Sequence, residues 1–213
     1  VIGDVSDPTA PGNEWRTCET WPPAHVATRA YLLGGGELSL AWPSNGSPSS
    51  IYTSNPSTPL PTIGGNNLFT SSGPRDQSSQ LGRPDVLTFQ TPVLSAPVEI
   101  AGPITCDLYA STTTVDADFM VKVCDVYPDG RVILIREGAL QARRRNGFDR
   151  EDLLTPGQVY RFSIEVGQIA LALNTGHRLM VIVSSSNFPR YEVNPQTGAP
   201  LTLDDPIIVA GTQ

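Results

Sequence analysis

The sequence predicts an all-β protein, a jelly-roll or related β-sandwich, on three observations. The apolar segments are short and are separated by Pro, Gly, Asn or Asp. Glycine (19) and proline (20) are abundant while charged residues make up only 16%, so long helices rich in Ala, Glu and Lys have nothing to build from. About nine to eleven strand-like runs follow at short spacing, with no stretch suited to a crossover helix. A chain of 213 residues buries about 70% of its unfolded surface, so one domain, or one with an appendage, needs no metal or disulfide to hold it.

Residues 1–28 differ from the rest. They are loop-like and proline-bearing, carry Trp15 and Trp21, and open on Val1-Ile2-Gly3-Asp4, which reads as the tail of a strand. Two large aromatics without a local partner strand are expected to cover another surface. From residue 29 the strand signals begin. "RAYLLGGGELSLAW" gives two short strands around Gly34-Gly35-Gly36, a hairpin-type connection. A long irregular stretch rich in Pro, Ser, Gly and Asn follows to Pro84, in which only Ser50–Thr53 looks strand-like. Such a loop inside a domain is either functional or a low-complexity linker.

Asp85 opens the dense β region. "DVLTFQTPVL" alternates Val86, Thr88 and Gln90 against Leu87, Phe89 and Thr91. "VEIAGPITCDLYAST" is expected to give one strand before Gly102-Pro103 and a second after it. In the second, Ile104, Cys106, Leu108 and Ala110 share a face, with Asp107 and Tyr109 on the other. "DFMVKVCDVYPDGRVILI" is a hairpin turning at Pro128-Asp129-Gly130, where Pro sets φ and Gly takes the left-handed position. "VYRFSIEV" alternates Tyr160, Phe162, Ile164 and Val166 against Arg161, Ser163 and Glu165; "HRLMVIVSSS" and "LTLDDPIIVA" complete the strands.

The net charge of −7 and the lack of a basic face argue against nucleic-acid or anionic-membrane partners. The one basic run, Arg143-Arg144-Arg145, reads as a solvated strand edge or a set of salt-bridge partners. Cys18, Cys106 and Cys124 are too few and too uneven for a disulfide framework; Cys106 and Cys124 lie in strands as small apolar fillers. No pair has zinc-ligand spacing and no apolar run reaches 18 residues, so no cofactor, metal or helical membrane span is expected.

"TGHRLMVIVSSSNFPRYEVNPQTG" sets a histidine near three serines and an acid, which raises the question of a serine hydrolase centre. No G-x-S-x-G elbow occurs anywhere, and no helix-forming segment follows Ser184–Ser186 to supply an oxyanion hole. Seven to nine extended residues put His177 about 23–30 Å from those serines. His177 is therefore expected to be a turn histidine bonding a loop carbonyl, and no catalytic residue is assigned. Asp116 with Asp118, and Asp204 with Asp205, are read as solvated strand ends, with a calcium site at Asp116/Asp118 the less favoured reading.

Five blocks carry a resemblance: "SIYTSNPSTPLPTIGG", "DQSSQLGRPDVLTF", "DADFMVKVCDVYPDGR", "LTPGQVYRFSIEV" and above all "GHRLMVIVSSSNFPRYEVNPQTG". In their order, over about residues 30–200, they resemble the C-terminal region of the X-Pro dipeptidyl-peptidase, cocaine esterase and α-amino-acid ester hydrolase family of serine hydrolases. "GNEWRTCETWPPA" is similar to that family's exit from its catalytic domain. The resemblance implies a galactose-binding-domain-like jelly roll at 29–213, with 1–28 as the tail of a preceding α/β-hydrolase domain or a linker. It implies a non-catalytic role, with the Ser, Asp and His triad upstream of Val1. Asn55-Pro56 stands where the family pattern leads one to expect Asp-Pro, a mild departure at a turn.

The expected partner is therefore an N-terminal α/β-hydrolase domain of the same parent chain, with a homo-oligomer as a further partner considered. The residues expected to pack against that domain are Trp15, Trp21, Pro59, Phe188 and Arg190, and the domain is expected to shape the active-site entrance. The alternative is a free-standing carbohydrate- or ligand-binding module, with Tyr52, Tyr191 and Trp42 as platforms.

Overall fold

The computed structural model describes the chain except Val5, His25, Asn45, Ser47, Phe69, Thr70 and residues 201–210. The strand expected in "LTLDDPIIVA", and Asp204-Asp205, lie outside the described residues. Ten strands are described: β1 (Tyr31–Leu33), β2 (Glu37–Ser39), β3 (Thr53–Ser54), β4 (Val86–Gln90), β5 (Val98–Ala110), β6 (Asp118–Val126), β7 (Val132–Gln141), β8 (Tyr160–Leu173), β9 (Arg178–Ser184) and β10 (Gly211–Thr212). The fold is an all-β sandwich of jelly-roll type. One sheet has the order β1-β2-β4-β9-β6-β7, the long strands β5 and β8 pair into a second layer, and β3 pairs with β10.

The alternation read in the sequence decides which side chains meet between the layers. Phe162, Ile164 and Val166 of β8 point inward against Phe119, Val121, Val123, Val181 and Val183 of the large sheet, with Ile104, Cys106, Leu108 and Ala110 packed around them. Phe119 and Phe162 meet with centroids 4.5 Å apart. At the closed edge β7 comes against β8: a Cβ on Gly138 would lie 2.2 Å from the Glu165 carbonyl oxygen, so only glycine fits there. The turn between β6 and β7 is as expected. Gly130 has φ 92, its N–H donates to the Tyr127 carbonyl, and Asp129 accepts from the Arg131 N–H.

Two expectations are corrected. Gly102-Pro103 does not divide two strands: β5 runs through both, paired to Ile169 and Gln168 of β8. Among the described residues β5 has a partner strand only on its β8 side, and an edge position tolerates a proline that lacks an N–H. Gly102 is there because Pro22 crosses it, 3.1 Å from where a Cβ would stand, and because its φ is 130. In the long stretch before Pro84 the linker reading fails where Leu60, Arg75–Gln77 and Leu81 pack on the large sheet. β6 and β9 are buried on both faces, and their second face, with Cys124, Met180, Ile182, Val132 and Leu134, is covered by Leu60 and Leu81. Residues Arg75–Gln77 run beside β7: Leu134 N–H donates to the Arg75 carbonyl and Gln77 N–H to the Val132 carbonyl.

Candidate functional site

The N-terminal segment builds the first candidate surface. Ile2 bridges Leu171 in parallel, donating to the Ala170 carbonyl at 2.8 Å and accepting from Ala172 N–H at 2.7 Å, so it extends the layer beyond β8. The chain then turns and returns. Asn13 Nδ2 donates to the Asp4 carbonyl and Gly3 N–H to Asn13 Oδ1, which places Trp15 beside Ile2. Trp15 is fully exposed and Trp21 half-exposed, its indole N–H on the Gln168 amide oxygen. The two tryptophans, Ile2 and Arg136 line an open cleft of about 550 Å³. Large aromatics left in water beside an apolar cleft are unusual for a domain whose own core closes without them.

The second group gathers around Leu60. Phe188 N–H donates to the Leu60 carbonyl and Thr62 N–H to the Phe188 carbonyl, so Pro59 and Phe188 lie close, half-buried and 41% exposed respectively. Arg190 is anchored within the chain: its Nη1 ion-pairs with Glu137, whose other oxygen accepts from Asn187 Nδ2 at 2.9 Å, and the guanidinium stacks on Tyr191. Gly65 lies directly against that pair with no room for a Cβ. Gly65 also bridges Gly73, and Leu68, three residues on, is 96% exposed. The two groups are separate, because Arg136 of the tryptophan cleft and its neighbour Glu137 point to opposite faces of β7.

The serines and His177 lie at opposite ends of β9. Ser185 bonds the Tyr52 hydroxyl at 2.7 Å, Ser186 Oγ accepts from Leu60 N–H at 2.8 Å, and Ser184 Oγ donates to the Ser186 carbonyl, so each serine is buried and occupied by the fold. His177 is corrected: it bonds no loop carbonyl through its ring but sits buried between Asp125 (Nδ1, 2.8 Å) and Asp4 (Nε2, 3.3 Å), against the Tyr127 ring. Two distant acids made that role invisible in a linear reading.

Asp116 and Asp118 are also corrected. Neither is solvated; both are buried beside Arg143, whose Nε donates to Asp116 Oδ2 at 2.7 Å. Asn194 Nδ2 donates to both carboxylates, at 2.8 and 2.7 Å. Burial pushes the Asp118 carboxyl up to about 7; the Asp116 charge adds to this and the Asn194 bond opposes it. Arg143 is thus no strand-edge solvator, whereas Arg144 pairs with half-exposed Glu151 and Arg145 lies over the Tyr160 ring. Burial raises the Cys106 thiol to about 11 and Cys124 to about 12, which leaves both inert.

One cluster was missed in sequence. Lys122 is buried in β6 and its ammonium donates to Gln77 Oε1 at 2.9 Å and Gln80 Oε1 at 2.8 Å. Its signal was a lone lysine in a run apolar on both faces, which demands a polar cover. The sugar-platform residues do not form a site. Tyr52 is buried, Tyr191 lies under Arg190, and Trp42, though exposed, meets Tyr31 edge-on at 5.0 Å. Among the described residues, no three His, Cys, Asp or Glu side chains converge as a metal site, and no helix is long and apolar enough to cross a membrane.

This architecture has known counterparts. Residues 4–210 match the model of the X-Pro dipeptidyl-peptidase C-terminal non-catalytic domain. The cocaine esterase of Rhodococcus sp. (strain MB1 Bresler) is 37% identical over 197 residues, 87% of this chain and 34% of the esterase. An aminopeptidase from a marine sediment Thaumarchaeota archaeon superposes with a TM-score of 0.85 at 32% identity, over 94% of this chain and 36% of its own. An α-amino acid ester hydrolase superposes with a TM-score of 0.80 at 34% identity, over 86% and 33%. The chain thus spans about a third of the length of these relatives. The family match over nearly all of the sequence and the sandwich agree: the chain belongs to the X-Pro dipeptidyl-peptidase C-terminal non-catalytic domain family.

Proposed function

We propose that this chain packs on the α/β-hydrolase domain of a larger serine hydrolase and shapes its active-site entrance. The observation that carries the reading is the cleft of Trp15, Trp21 and Ile2, apolar and solvent-facing on a domain that needs none of them for its own core. Residues 1–28 are the lead-in from the hydrolase domain and 29–213 the sandwich, with the lead-in docked on β8. Relatives about three times as long, named as an esterase, an aminopeptidase and an amino acid ester hydrolase, favour a parent that transfers acyl groups from esters or amides. Gly65 lies against the Glu137–Arg190 pair, and exposed Leu68 close by supports a wall for that entrance. Pro59 and Phe188 form its base.

The test is the double substitution Trp15→Ala, Trp21→Ala in the full-length parent. Each buried tryptophan anchor is worth about 2 kcal/mol or more of docking. The expected outcome is a lower melting temperature and a reduced kcat/KM on a chromogenic ester. Unchanged stability and turnover would sink the reading.

A further inference from the structure

The Asp4–His177–Asp125 cluster lies outside everything assigned above, and its geometry is demanding. His177 is almost completely buried, yet both ring nitrogens face carboxylate oxygens, Nδ1 towards Asp125 at 2.8 Å and Nε2 towards Asp4 at 3.3 Å. A neutral imidazole has one N–H and one lone pair. With both acids ionised, a neutral ring would aim that lone pair at a carboxylate. A proton on Nε2 makes the 3.3 Å contact with Asp4 an ion pair; without it the ring meets that carboxylate through a lone pair. Because the acids stand on opposite sides of the ring, they do not converge on a point where a metal would sit.

We infer that His177 is a proton-operated latch that sets the position of the tryptophan face. Asp4 is the acid of the cluster that comes from the lead-in, and its contact with the ring, at 3.3 Å, is the longer one. Its backbone carbonyl accepts from Asn13 Nδ2, Glu14 N–H donates to the Val1 carbonyl, and Trp15 follows directly. Loss of the ring proton leaves Nδ1–H on Asp125 and an Nε2 lone pair against Asp4. The Asp4 side then opens, and the lead-in carries Trp15 with it. Rising pH releases the latch and falling pH engages it until the carboxylates themselves take protons.

The groups around the ring are few. Asp4 faces it from the lead-in and Asp125 from β6. Tyr127 packs on it at 4.3 Å, and Arg131 covers the Tyr127 ring while bonding Ser6 Oγ and pairing with Asp129. Asp7 lines the adjoining cleft of about 340 Å³ and accepts from Asn174. Leu94, whose N–H bonds the His177 carbonyl, brings no charge with its neighbours Thr91, Pro92 and Val93. Burial holds the Asp125 carboxyl above its usual range, with the His177 bond opposing. The cleft that reaches Asp4 and His177 gives water a route to the proton.

The functional meaning rests on the docking role proposed for the tryptophans, but the latch is tested on this chain alone. The ring shifts of His177 and the hydrogen-exchange protection of Ala172, whose N–H bonds the Ile2 carbonyl, are followed by NMR from about pH 5 to about pH 9. Protection at Ala172 is expected to fall by at least about tenfold as the ring deprotonates, the weight of losing one buried ion pair. Asp4→Asn keeps the acceptor for Ser6 N–H and the Asp125–His177 pair. In that variant the fall disappears while His177 still titrates. Protection that stays constant while the ring titrates overturns the latch, as does a ring that holds one protonation state across the range. A failure of docking alone would show in the tryptophan variants of the parent and leave these NMR results intact.

Discussion

Leu60→Ala tests whether the long proline-rich segment is part of the fold. Leu60 is completely buried against Val86, Cys124, Val132, Leu134, Met180 and Ile182. The substitution removes three carbons, about 2.4 kcal/mol of transfer free energy at ~0.8 kcal/mol each. The cavity between the segment and the sheet adds to this, for a total of about 3–4 kcal/mol. The main-chain bonds of Leu60 to Ser186 and Phe188 remain, so the loss isolates the side chain. Urea unfolding should show the midpoint lowered with the slope unchanged, and the melting temperature should drop by roughly 6–15 °C for a domain of this size. Leu68→Ala, at an exposed tip, serves as the control, with a change within about 0.5 kcal/mol. A Leu60→Ala effect below about 1 kcal/mol would refute the argument that this segment closes a second core.

The other buried groups give two more predictions. Asp118, raised to about 7 in the fold against 3.8 ordinarily, binds its proton more tightly folded than unfolded, so its ionisation costs stability progressively from about pH 4 to about pH 7. Asp118→Asn keeps an oxygen for Asn194 and should gain on the wild type by up to about 4 kcal/mol between those limits; a difference between the two proteins that is flat with pH would contradict it. Arg143→Met strands the buried Asp116 carboxylate and should cost about 3–5 kcal/mol in chemical unfolding at neutral pH, whereas a neutral result would mean that Asp116 finds other compensation.

Much of the sandwich was legible because it rests on local rules. The in-out alternation of Phe162, Ile164 and Val166, and the Pro128–Gly130 turn, follow from strand period and allowed φ alone. What failed depended on partners far away in sequence. The continuous β5 needs β8 on one side and Pro22 above Gly102. The burial of Asp116 and Asp118 needs Arg143 and Asn194, between 27 and 78 residues away. Of the candidate surface, the tryptophans could be picked out as aromatics without a local partner. Arg190 could not be placed, since Glu137 lies 53 residues before it.

The all-β class, the hairpins, the inward faces of β5 and β8, the lack of a serine elbow and the family can all be read from the linear chain. These depend on residue type and near-neighbour spacing, which a linear string holds completely. Folding brings Leu60 and Leu81 over a second core, clamps Lys122 between Gln77 and Gln80, and sets His177 between Asp4 and Asp125. A charge can be buried only where its counter-charges or hydrogen-bond partners converge, and that convergence is a property of the folded chain.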